Sequence, residues 1–79
     1  MKEITRLAQF NTGSFYYIKD YGKSDSRNYV FKCKALHLMS NYVEIQRDLN
    51  HVPYWFYNHH LKDFNVFEIN KEENPEYFL

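Results

Sequence analysis

Cysteine, glycine and proline are scarce in this chain: one, two and two among 79 residues. A single cysteine, Cys33, cannot form an intramolecular disulfide, which excludes a small secreted scaffold stapled by bridges. The two glycines, Gly13 and Gly22, leave no glycine-rich loop to cradle a phosphate. The four histidines, His37, His51, His59 and His60, show no HxxxH or HxH spacing and there is no CxxC. No metal site and no cofactor is therefore expected. The opening stretch MKEITRLAQF lacks the apolar core of a secretory leader. No apolar run approaches the roughly 18–20 residues of a membrane span. A soluble protein of the cytoplasm is expected.

Net charge is missing as well, since ten basic residues balance ten acidic ones. That argues against a strongly basic nucleic-acid binder. The balance is uneven along the chain: residues 1–34 carry seven Lys/Arg and three Asp/Glu, or +4, whereas residues 60–79 carry two and five, or −3.

Aromatic side chains are what the sequence has in excess: eight Tyr, seven Phe and one Trp. A domain of this length buries only about 60% of the surface its unfolded chain exposes. Rings of roughly 150–250 Å² each are more than such a core needs, so some are expected at the surface, as interface anchors. Abundant Asn, Lys, Tyr, Phe and Ile with little Ala and Gly is what AT-rich coding produces. The composition resembles that of small phage and mobile-element proteins.

Periodicity predicts a mainly β fold. Ser14–Tyr21 is aromatic and β-branched and reads as a strand, preceded by turn residues Asn11–Ser14. Gly22–Asn28 is a polar loop, expected to be mobile. In Tyr29–Leu38, residues Tyr29, Phe31, Cys33 and Ala35 share one face and Lys32 and Lys34 the other. Leu36 and Leu38 then fall on the lysine face, a slip of phase that demands a bulge or bend. After a turn at Met39–Asn41, Val43, Ile45 and Leu49 alternate with Glu44, Gln46 and Asp48. Pro53–His59 reads as a strand, His60–Asp63 as one helical turn and Phe64–Ile69 as a last strand. The alternative is an α+β fold with a helix over 53–62 that opens on Pro53. Residues 1–70 form a single β-rich domain and residues 71–79 an acidic C-terminal tail with an apolar end. The order of elements from Ser14 to Ile69 resembles an SH3-like small barrel of about five antiparallel strands with a short helical turn before the last. That fold hosts many unrelated functions, so the resemblance implies none in particular.

No catalytic constellation emerges. Cys33 shares a face with Tyr29 and Phe31, a position for a buried, inert thiol. Glu72 and Glu73 are paired, but in a tail where nothing desolvates them. The protein is expected to bind another protein and not to be an enzyme. The expected surface is Tyr54, Trp55, Phe56 and Tyr57, rimmed by Asp48, Asp63 and Glu68, because Tyr and Trp are the usual interface anchors. Trp55 and Tyr57 share one face of a strand, Tyr54 and Phe56 the other, and either pair can be the outer one. The function expected is that of a phage or mobile-element inhibitor occluding a host enzyme or defence system; a homodimer through the same patch is a second possibility. A third is a small barrel for single-stranded nucleic acid, using Tyr16, Lys19, Lys23, Arg27, Lys32 and Lys34 to combine stacking with phosphate pairing.

Overall fold

A computed structural model describes residues 2–20 and 30–78. They form one six-stranded, wholly antiparallel sheet. Its strands are β1 (Lys2–Ile4), β2 (Phe15–Asp20), β3 (Val30–Leu38), β4 (Tyr42–Gln46), β5 (Tyr54–Tyr57) and β6 (Phe64–Ile69), in the spatial order β1-β6-β2-β3-β4-β5. Among the described residues the only helical segments are 3-10 turns, at Leu7–Gln9, Asn58–Lys62 and Pro75–Phe78. The expected polar loop Gly22–Asn28, together with Tyr29, lies outside the described residues.

Alternation decides the two faces. Tyr16, Ile18, Cys33, Ala35, Val43, Ile45, Phe56 and Val66 point to the inner face and are buried. Ile4, Leu7 and Phe10, from β1 and the turn after it, complete that core. The phase slip in β3 is a bulge. Ala35 pairs with Ile45 and His37 with Glu44, so Leu36 is the extra residue and Leu38 returns to face Val43. A bulge increases local twist and bends its strand. The sheet is strongly curled. Four strand spacings of about 4.8 Å would put β5 some 19 Å from β6 in a flat sheet. Instead the rings of Phe56 and Phe64 are 5.9 Å apart.

Curling stops short of closure, so the expected barrel is an open one, with β1 and β5 as its edges. The reason is visible in the elements themselves. The edge strands are only three and four residues long, and side chains rather than backbone span the gap: Phe10 lies between Tyr16 and Phe56, with ring centroids 4.6 and 6.1 Å away.

The chain at 53–62 is a strand followed by a 3-10 turn, not the alternative helix. Aromatic and β-branched residues fit a half-buried pleated surface better than a helix. Leu49, expected inside, is 94% exposed. β4 ends at Gln46 because Asp48 offers the chain a local turn instead, its carboxylate accepting from the Asn50 N–H and contacting the His51 ring, each at 2.8 Å.

Residues 71–78 do not trail away as a tail. Pro75–Phe78 folds back on the outer face of the sheet, where Tyr77 lies 4.7 Å from Tyr17 and Phe78 meets Phe15 edge-on at 5.2 Å. Ile69 is thereby buried outside the main core. Asn70 and Asn74 close the connecting turn: the Asn74 N–H donates to the Asn70 carbonyl at 2.8 Å and the Glu73 N–H to the Asn70 side chain at 2.7 Å.

Candidate interaction surface

β5 is the open edge on which the exposed rings gather. It pairs with β4 on one side and with no described strand on the other. Its four residues alternate as a half-buried strand must. Phe56 enters the core, Trp55 is 52% exposed on the outer face, and Tyr54 is 39% exposed at the inner rim. Trp55 is nevertheless held in place. It stacks on Tyr42 of β4 at 4.7 Å and 27°, and Tyr42 also touches Tyr57 at 5.6 Å. His59 stacks on Tyr57 at 5.7 Å, continuing the row past the strand end. Trp55, Tyr42, Tyr57 and His59 thus form one continuous aromatic row.

An apolar cleft of about 260 Å³ opens beside this edge, lined by Tyr54, Trp55, Phe56, His60 and Phe64. Its far wall is set by His60, whose Nδ1 accepts the Tyr57 N–H at 2.9 Å. That acceptor role requires a neutral ring. Burial holds the His60 pKa below its ordinary 6.5; neighbouring His59 adds to this and Asp63 opposes it. The folded chain therefore binds fewer protons here than the unfolded chain just below pH 6.5, so stability falls as the pH drops through that value. Replacing His60 with Gln is expected to flatten this acid limb, measured as urea midpoints on either side of pH 6.5; an unchanged slope would mean the ring does not titrate with folding.

The three acidic residues expected around the patch do not form one rim. Asp48 sits in the β4–β5 loop, where its hydrogen bond with His51 holds its carboxyl below the usual range. Asp63 follows the 3-10 turn and Glu68 lies five residues further on, about 16 Å along β6. Glu68 faces the opposite end of the sheet, where its Oε2 accepts from the Tyr16 hydroxyl and the Asn11 side chain, both at 3.1 Å.

The residues expected to hold nucleic acid are also dispersed. Tyr16 is fully buried, so its ring cannot stack a base. Lys23 and Arg27 lie outside the described residues. Lys19, Lys32 and Lys34 share the outer face of β2 and β3. Tyr42 was missed by the sequence reading, although its place opposite Val43 and Ile45 marks it as outward. Val52, 80% exposed next to β5, carries no periodic signal.

Cys33 is fully buried, and burial pushes its thiol up to about 12. No group of three or more His, Cys, Asp or Glu among the described residues is placed to hold a metal ion. No described helix is long and apolar enough to cross a membrane.

No protein family, curated sequence or solved structure compared with this chain matches it.

Proposed function

We propose that the protein is a small non-enzymatic binding module that grips a partner protein along β5. One observation carries this reading: a half-exposed tryptophan, stacked and therefore pre-ordered, on a strand whose outer edge pairs with no other described strand, beside an apolar cleft. An extended segment of the partner adds to β5 through backbone hydrogen bonds, and one of its apolar side chains enters the cleft. Pre-ordering matters because immobilising a free side chain on binding costs about 0.5–1.5 kcal/mol. The mode of action is occlusion of the partner surface that the module covers. The AT-rich composition supports a phage or mobile-element origin and a host enzyme or defence component as the partner, in the bacterial cytoplasm.

Capture from host lysate with wild type and Trp55→Ala, followed by titration of the purified partner, tests this. Losing a tryptophan anchor costs about 2 kcal/mol or more, a weakening of about thirtyfold. The fold should survive, because the lost stacking contributes only about 0.5–1.5 kcal/mol. Equal binding by the two proteins would remove β5 from the interface. Sedimentation of the chain alone identifies the case in which the partner is a second copy.

A further inference from the structure

The usable edge of β5 is shorter than the strand. Backbone groups of a strand point alternately to its two sides. The Tyr42 C=O accepts from the Met39 N–H at 2.8 Å, on the β3 side of β4. It is therefore Val43 and Ile45 that turn their backbone groups towards β5, where they face Phe56 and Tyr54. Pro53, Trp55 and Tyr57 then point theirs away from β4, to the open side. The Tyr57 N–H agrees, because it donates to the His60 ring.

Proline has no N–H, so Pro53 brings only its carbonyl to that side. Trp55 brings both groups. As the N-cap of the 3-10 turn Asn58–Lys62, Tyr57 gives its carbonyl to the turn, while His60 Nδ1 holds its N–H at 2.9 Å. The opposite edge of the sheet, β1, is guarded by the exposed charges of Lys2 and Glu3. β5 contains no charged residue; an imidazole stands guard instead.

These groups fit one occupant, a second β5 running antiparallel about a two-fold axis at Trp55. Trp55 then exchanges both of its bonds with Trp55 of the second copy. Tyr57 comes opposite Pro53 of the second copy, a donor against a carbonyl. The Tyr57 carbonyl, already used, faces the one residue that has no N–H to give. Every outward group is matched once the Tyr57 N–H is released, which is the self-complementarity that a two-fold contact demands. The half-exposed Trp55 rings lie side by side at the axis. A standard interface takes about 20–30 residues a side. Four residues of edge make a weak and reversible one, in which one hydrogen bond per copy decides the balance.

We propose that β5 pairs with β5 of a second copy and that His60 is the latch: neutral, its ring occupies the Tyr57 N–H and keeps the chain monomeric; protonated, it can no longer accept, and the two edges join. Such pairing rests on the reading of β5 as the docking edge, and it hides Trp55 from any other partner. Around the ring stand His59, 4.3 Å away, with Lys62 and Asp63 on the same turn, Tyr54 and Tyr57 from β5, and the uncharged rings of Phe56 and Phe64. Burial and His59 keep it neutral until the pH falls below 6.5, and Asp63 opposes them. A ring released to solvent in the dimer takes its proton more readily, so acid favours the dimer.

Sedimentation equilibrium of the chain alone, about one pH unit above and below 6.5, tests the proposal. Wild type is expected to be a monomer above and a monomer–dimer equilibrium below. One further hydrogen bond from each Tyr57 should tighten association about tenfold or more. His60→Gln keeps an acceptor that no proton removes and should stay monomeric at both pH values, whereas His60→Ala should dimerise at both. Trp55→Pro deletes an outward N–H without touching the ladder to β4 and should abolish the acid dimer. It leaves His60 in place, so it keeps the test decisive should His60→Ala loosen the turn; near-UV circular dichroism verifies folding. A wild type and a His60→Ala that both stay monomeric overturn the proposal. So does acid dimerisation of His60→Gln, which would put the switch on another group, or of Trp55→Pro, which would put the contact on another surface. No partner protein enters the measurement, so the dimer and the Trp55-dependent capture fail separately.

Discussion

Phe10→Ala is expected to remove about half of the folding stability of the chain. Phe10 belongs to no strand, yet it is only 2% exposed. It occupies the opening of the curled sheet, in contact with Tyr16 from β2 and Phe56 from β5. Truncating a buried Phe to Ala costs about 3–5 kcal/mol. A domain of 79 residues at about 0.05–0.15 kcal/mol per residue has about 4–12 kcal/mol in total. Little room exists for the surroundings to collapse, because the sheet edges on either side of the ring do not pair. Phe10→Leu keeps most of the volume and should cost less than about 1.5 kcal/mol. Urea titration followed by circular dichroism separates the two variants. If Phe10→Ala shifted the midpoint no more than Phe10→Leu does, the ring would not be what fills the opening.

The second large effect is expected at Tyr16, where ring and hydroxyl can be removed separately. The hydroxyl accepts the Asn11 N–H at 2.6 Å and donates to Glu68 at 3.1 Å. Tyr16→Phe orphans that N–H and should cost about 1–3 kcal/mol. Tyr16→Ala also empties a fully buried site, and the additional loss of about 3–5 kcal/mol should remove most of the folding stability. The same hydroxyl predicts a response to alkali. Burial pushes its pKa from 10.0 up to about 12; Glu68 adds to this and the Asn11 N–H opposes it. The folded chain thus holds this proton to higher pH than the unfolded chain. The stabilisation is complete below pH 10 and is lost as the pH rises towards 12. Cys33, raised from 9.0 to about 12 by burial, begins the same loss about one pH unit earlier. Denaturant midpoints between pH 8.5 and 12 should decline less steeply in Tyr16→Phe than in wild type. Parallel curves would mean that the hydroxyl is solvated in the folded state.

Much of the sheet was legible because strands announce themselves locally. β2 shows as a run of rings and β-branched residues, and β4 as strict alternation of Val43 and Ile45 with Glu44 and Gln46. The slip at Leu36 was legible for the same reason, since a period of two demands a bulge or a bend there, and the register on β4 makes it a bulge. Leu49 misled because alternation continues in sequence past the point where Asp48 turns the backbone away. Phe10 gave no signal: its role depends on β5, 44 residues later in the chain. The C-terminal segment read as an acidic tail with an apolar end, and what that end covers depends on where Phe15 and Tyr17 stand. At the candidate surface, pattern alone established that two of the four β5 rings must face outward. Deciding which two required the register of β5 on β4, which pairs Phe56 with buried Val43. Asp48, Asp63 and Glu68 did not converge because charges in three different loops and strands have no periodicity to relate them.

The strand order also constrains how the protein can be made. β6 sits between β1 and β2 and pairs with both, joining Lys2 to Glu68 and Phe15 to Ile69. During synthesis the first five strands leave the ribosome without the one that fixes β1 in place. Until β6 emerges, β2 to β5 can form only a meander, with Tyr16 and Ile18 on an incomplete face. Pairings of such long sequence separation are the slow ones and leave edges exposed while they wait. The sheet is therefore completed only once β6 is available, and the chain is most in need of a chaperone just before that strand pairs.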